Sequence, residues 1–209
     1  MPQVASRGPG RPPAAKADET RKRIVRAARQ VFSERGYDGA TFQAIAMRAD
    51  LTRPAINHYF ASKRVLYAEV ADRTNDLVLR AGMARARNET TLIARITAYI
   101  TVAMEVDSQN PCTAAFLATA VLDSQRHPEL RNDENDAVRM TREFLVWAVN
   151  DAVKSGELAP HVEVEALAEV LLLMLCGVGF YAGFVGSYQQ VQSILDTLRQ
   201  LIAGSLWTP

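Results

Sequence analysis

Two side chains in this 209-residue chain have the type and spacing to read another molecule. Arg53 and Asn57 stand one helical turn apart and share a face if residues 52–58 are helical. A guanidinium can grip guanine through O6 and N7, and a carboxamide can grip adenine through N6 and N7, so the pair suits a DNA major groove. Groups that hold phosphate stand nearby. Thr41 and Thr52 lie at helix starts, where free backbone N–H groups already favour an anion, and His58 adds an imidazole on the same segment. Gln43 has reach for either a phosphate or a base edge. Nothing comparable points to catalysis, since there is no Ser-His-Asp or Cys-His order, HExxH, P-loop or dinucleotide fingerprint. No His, Cys or carboxylate stands at ligand spacing beside His58, so no metal and no cofactor is expected.

Seating those side chains requires a particular pair of helices. Thr41 can cap a helix with Phe42, Ile45, Ala46 and Ala49 on one face; Asp50 breaks it and Leu51 plugs the bend. Thr52 can then cap a second helix bearing Ile56, Tyr59 and Phe60. Such positions suit two helices crossing steeply over a shared small core, with Ala46 small enough for close approach. This is a helix-turn-helix at about residues 42–61, whose second helix enters a DNA groove. Tyr59, at an apolar position, is left between core packing and phosphate contact.

The same residues resemble the TetR family of bacterial one-component regulators, whose members carry a stretch close to T-x-x-x-IA-x-x-AGVS-x-x-x-(I/L)Y-x-(Y/H)F-x-(S/N)K-x-x-L. The matches are Thr41, Ile45, Ala46, Ala49, Leu51, Thr52, Ile56, Tyr59, Phe60, Ser62, Lys63 and Leu66. They extend back over residues 19–40, where Ile24, Ala27, Ala28, Val31 and Phe32 precede Gly36-Tyr37. Asp50 departs from the usual turn glycine, which its short polar side chain tolerates in the left-handed region. Asn57 stands where many members have an aromatic residue, so their base contacts are not carried over. The resemblance implies an all-α fold: an N-terminal three-helix DNA-binding domain, residues 18–64, and a C-terminal effector-binding and dimerisation domain, residues 65–209. It also implies that Tyr59 and Lys63 touch the DNA backbone.

Charge is segregated in the same way. Through Arg64 there are 13 Lys and Arg against 5 Asp and Glu, and from Val65 onward 11 against 18. A basic head on an acidic body is the footprint of a nucleic-acid reader. Residues 1–17, rich in Pro, Gly and basic residues, read as a disordered arm. Its Gly10-Arg11-Pro12 resembles the core of an AT-hook, so Arg7 and Arg11 join the candidate DNA contacts, through the minor groove or through plain phosphate attraction. No apolar signal core is visible at the N-terminus, and Cys112 and Cys176 read as buried free thiols in a reducing cytosol. The uncharged run Val170–Gly186 is 17 residues long. It is short for a span and lacks a basic flank, so it is expected to be a helix buried on several sides at a subunit interface, with no membrane partner.

About nine helices are expected. The fourth spans 62–86 and the fifth 89–106. The sixth is capped by Asn110-Pro111 and runs to about Asp123. The seventh runs from near Pro128 to Gly156, the eighth over 163–185 and the ninth over 188–206. The last two carry the strongest apolar faces. By the family resemblance they pair two copies into a homodimer, with Gly177, Gly179 and Gly183 permitting close approach, so the operator should be palindromic. Helices four to eight would enclose an effector pocket lined by Tyr99, Met104, Phe116, Met140, Phe144, Trp147 and Phe180. Few charges fall in these stretches, which favours a hydrophobic or amphipathic effector. The chain thus reads as a cytoplasmic, sequence-specific transcriptional regulator, a repressor released from its operator by a small molecule. The alternative is an architectural or activating DNA binder without small-molecule control.

Overall fold

The computed structural model describes residues 13–132, 136–186 and 188–202. The basic arm with Arg7 and Arg11, and the expected end of the ninth helix at 203–206, lie outside the described residues. Within them the chain is all-α, with nine helices and no strand. The head comprises α1 (Pro13–Gly39), α2 (Phe42–Arg48) and α3 (Arg53–Tyr59). One rod, α4, leads out of it: Lys63–Asn75, a π-helical turn Asp76–Arg80, then Ala81–Ala86. The body adds α5 (Leu92–Gln109), α6 (Thr113–Arg126), α7 (Ala137–Lys154), α8 (Val164–Phe184) and α9 (Tyr188–Ile202).

Side-chain caps set most of the starts. The hydroxyls of Thr41, Thr52, Ser62 and Thr91 each accept the backbone N–H three residues on, at 3.1–3.3 Å, each such cap being worth about 1 kcal/mol. Two starts differ from expectation. Asn110 closes α5, its N–H reaching the Val106 carbonyl at 2.7 Å, and does not cap α6. Instead Cys112 takes a left-handed conformation, φ 67°, and Asp107 accepts the Ala114 N–H at 2.9 Å. At Pro128 only a 3-10 turn forms, Pro128–Leu130, because a proline drives the residue before it, His127, out of helical geometry. The seventh helix begins at Ala137, where the Asp136 carboxylate accepts the Arg139 N–H at 2.8 Å. It ends as expected before Gly156, φ 78°.

There are two cores, and α6 is the wall between them. The head core holds Ile24, Phe32, Ile45, Ile56 and Phe60, and also draws Leu66, Tyr67 and Val70 from α4 and Phe116 from α6. The body core is built on Leu79, Ile96, Tyr99, Leu145, Val149 and Leu172. On its head side α6 also carries Asp123, a buried carboxylate that accepts the Tyr37 N–H at 3.0 Å and the Tyr67 hydroxyl at 3.2 Å. Gly36 meets it with φ 67°, a conformation that suits glycine where α1 kinks.

The long apolar helix is packed on one side only. Ala168, Leu171 and Leu172 of α8 are buried, whereas Val170, Leu173, Phe180 and Phe184 are exposed along a stripe. By length and composition alone α8 could cross a membrane, but its inner face is committed to α6 and α7. Gly183 serves packing inside the chain: a Cβ there would lie 2.7 Å from the Ala115 backbone, so α8 touches α6 directly. Gly177 and Gly179 have nothing within 4 Å. Cys112 is half-buried and Cys176 exposed, not two buried thiols.

His127, just past α6, ties body to head. Its Nε2 lies 3.0 Å from Asp38 and its Nδ1 3.2 Å from Glu129. The hydrogen bond to Asp38 raises its pKa, against a smaller opposing effect of desolvation. A raised folded pKa means that the tie stabilises fully below the unfolded value of about 6.5 and fades as pH rises through the folded one. The difference in urea midpoint between wild type and His127→Gln is therefore expected to shrink from pH 6 to pH 8; a constant difference would contradict the assignment.

Candidate nucleic-acid interface

The sequence fixes how α3 can turn. Ile56 and Phe60 point into the head core at 0% and 1% exposure, which leaves Arg53, Asn57 and His58 on the outer face. Asp50, at φ 50°, makes the bend in the left-handed region, and the Leu51 N–H closes it on the Ala46 carbonyl at 2.9 Å. Thr41, Gln43 and Thr52 are exposed on the same part of the head. The Thr41 and Thr52 hydroxyls accept a cap hydrogen bond each, so their own protons stay available to an acceptor such as phosphate. Tyr59 is half-buried, edge-on to His58 with centroids 5.3 Å apart, and packs against the head core.

Lys63 has an internal role that its position in the sequence did not suggest. Its ammonium donates to the Tyr37 carbonyl at 2.6 Å and the Ala40 carbonyl at 3.2 Å, and lies 4.3 Å from the Tyr37 ring centroid. It fastens the end of α1 to the start of α4. Two further braces were missed. Arg48 forms a two-pronged pair with Glu34 at 2.8 Å, binding α2 to α1. Arg21 pairs with Glu69, sits 4.4 Å from the Phe60 ring and donates to the Tyr59 carbonyl at 3.3 Å. Glu34 is one of the few acids on a basic head and Glu69 lies beyond it on α4, so which arginine each acid meets depends on tertiary contact.

The body holds a cavity of about 540 Å³ bounded by α4 to α8 and Val191. Tyr99, Met104 and Phe180 line it, and the π-helical turn adds both Val78 and Leu79. Phe116, Phe144, Met140 and Trp147 do not line it. Phe116 is in the head core, and Phe144 stacks on Tyr99 with centroids 5.6 Å apart. Met140 packs on the body core, and Trp147 lies at the surface, 4.7 Å from the Arg95 guanidinium. Ala137, Val138 and Thr141 of α7 face the cavity, and one turn further along the same helix Phe144 fills the body core against Tyr99.

A three-helix head with an outward, capped second helix, carried on a helical body that encloses a cavity, defines a helix-turn-helix DNA-binding protein. Residues 24–70 match the model of the bacterial regulatory proteins, tetR family. The chain is 31% identical over 198 residues to the HTH-type transcriptional regulator SrpR of Pseudomonas putida, covering 93% of this chain and 86% of that protein. It is 29% identical over 177 residues to the HTH-type transcriptional repressor BepR of Brucella suis, covering 78% and 80%. Among solved structures it is similar to a gamma-butyrolactone receptor, an ArpA-like protein: TM-score 0.65, 22% identity, covering 80% of this chain and 82% of that one. The chain belongs to the TetR family and is a DNA-binding transcriptional regulator.

Proposed function

We propose that this regulator is a homodimeric repressor acting in the cytoplasm, which reads a palindromic operator through Arg53 and Asn57 and leaves it when a small hydrophobic molecule fills the body cavity. The observation that carries the reading is the locked orientation of α3, whose core anchors Ile56 and Phe60 set Arg53 and Asn57 on one outward face. Arg53 takes guanine, Asn57 takes adenine, and Thr41, Thr52, His58 and Gln43 hold the flanking phosphates. Tyr59 contributes its polar edge, and Lys63 acts chiefly by bracing the head.

Dimerisation follows from the stripe on α8, continued by Ile194 and Leu201 of α9, which are 38% and 46% exposed. A lasting dimer needs about 1,600 Å² of buried surface, and two α8–α9 pairs packed face to face are the part of the chain best suited to supply it. Effector control follows from α6. The same helix gives Leu117, Val121 and Leu122 to the cavity wall and Phe116 and Asp123 to the head, so a displaced wall moves the head.

The test is Arg53→Ala. Its affinity for an operator selected from random DNA by the wild type is expected to fall about 5- to 150-fold, equivalent to ~1–3 kcal/mol, while affinity for random duplex changes little. Equal losses on both would overturn the assignment of Arg53 to base reading.

A further inference from the structure

The cavity wall is selective in which half of a hydrogen bond it offers. Most of its described lining is apolar, and none of it is Lys, Arg or His. The hydroxyl protons on the wall are already committed. Thr141 donates to the Ala137 carbonyl at 2.8 Å, Ser108 donates to the Glu105 carbonyl at 2.8 Å, and Thr113 donates to the Asn110 carbonyl. A hydroxyl has one proton to give, so with the Thr141 proton on Ala137 the 3.3 Å contact between Tyr99 and Thr141 takes the Tyr99 proton. Acceptors are what remain: the lone pairs of Tyr99 Oη and Ser108 Oγ, and the Asp107 carboxylate oxygen that does not take the Ala114 N–H. Burial pushes the Tyr99 phenol up to about 12, so it stays neutral.

We infer that the cavity selects lipophilic molecules bearing a hydrogen-bond donor, an alcohol or an ammonium group, and rejects carboxylates of the same size. The inference rests on the cavity being the effector site. A carboxylate brings only acceptors to a wall whose remaining donor is the weak S–H of Cys176, so its lost hydration goes largely uncompensated in apolar surroundings. A hydroxyl or ammonium completes the bonds that Tyr99 and Asp107 leave open. Tyr99, 6% exposed, and Asp107 are then the residues that set specificity.

Calorimetric titration of the full chain with four probes that share a ten-carbon chain separates the outcomes: decan-1-ol, decylammonium, methyl decanoate and decanoate. Decan-1-ol and decylammonium are expected to bind at least about 30-fold more tightly than decanoate, with methyl decanoate, a pure acceptor, in between. Tyr99→Phe is expected to weaken decan-1-ol about fivefold and leave methyl decanoate unchanged. Decanoate binding as tightly as decan-1-ol, or four affinities within threefold, would overturn the inference while leaving a lipophilic effector site. Binding by none of the four would remove the effector site itself, and the inference with it. Loss of all four affinities alike in Tyr99→Phe would mark Tyr99 as structural and overturn its assignment.

Discussion

Leu173→Glu is expected to leave the chain monomeric at micromolar concentration and to lower operator affinity by more than about 100-fold. Leu173 is 71% exposed within the single chain and lies inside the α8 stripe, between Val170 and Phe180. A two-fold interface places the same patch of both copies together, so one substitution introduces two like charges into an apolar contact. Burying them unpaired costs several kcal/mol. The loss on DNA follows from linkage: two heads on one body engage two half-sites with an advantage of about 10²–10⁴ over one head, without any further contact. The fold should survive, because Leu173 is outside the chain's own core. Sedimentation reads the mass and far-ultraviolet circular dichroism the helix content. A dimer that persists with wild-type operator affinity would mean that this face of α8 is not the pairing surface.

Asp123→Ala is expected to cost about 2–4 kcal/mol of stability and to uncouple the head from the cavity. The carboxylate is 3% exposed and accepts from both the Tyr37 N–H and the Tyr67 hydroxyl. Truncation strands both donors in the interior, and the Tyr67 phenol, held strongly neutral by burial first and by Asp123 second, cannot ionise in compensation. Asp123→Asn keeps an acceptor oxygen and should recover at least half of the loss. Urea denaturation measures the cost, and a loss below about 1 kcal/mol would show that the junction is not held by this residue. Because Val121 and Leu122 face the cavity two residues and one residue earlier on α6, the alanine variant should also respond less to any molecule that releases wild type from DNA.

Which parts of this were legible beforehand depended on whether the information was local. The helix-turn-helix was legible because its determinants are consecutive: the Thr41 and Thr52 caps, the left-handed Asp50, and Ile56 and Phe60 at helical spacing. The outward face of α3 follows from the inward one, so Arg53 and Asn57 could be placed from the pattern. The two misplaced helix starts turned on caps that sit away from the expected ones, Asp107 on the preceding helix and Asp136 eight residues past Pro128. A helix starts where a group satisfies its free N–H groups, and in both places a carboxylate does so in preference to the position the proline marks.

The cavity was the least legible part. Large aromatic residues attract attention in a sequence, yet a helix face meets a space or a filled core according to what packs opposite it, so Thr141 and Val138 line the cavity and Phe144 and Trp147 do not. Likewise, Gly183 stood out as a site of close approach, but only the structure assigns the partner, the Ala115 backbone of the same chain. Lys63 matched a family position that touches DNA, yet three carbonyls of α1 and its exit loop surround its ammonium, a contact that only the tertiary fold decides. In each case the partner came from contacts between distant segments.

The most direct test of α3 as the base-reading element, used twice, is methylation interference at guanine N7 on the operator selected by the full chain. Arg53 in the major groove should make binding sensitive to methylation of one guanine in each of two half-sites, related by a dyad and separated by about one helical turn or a multiple of it. Arg53→Ala should lose that sensitivity at both. Interference at a single unpaired guanine, or a pattern unchanged in Arg53→Ala, would contradict the reading.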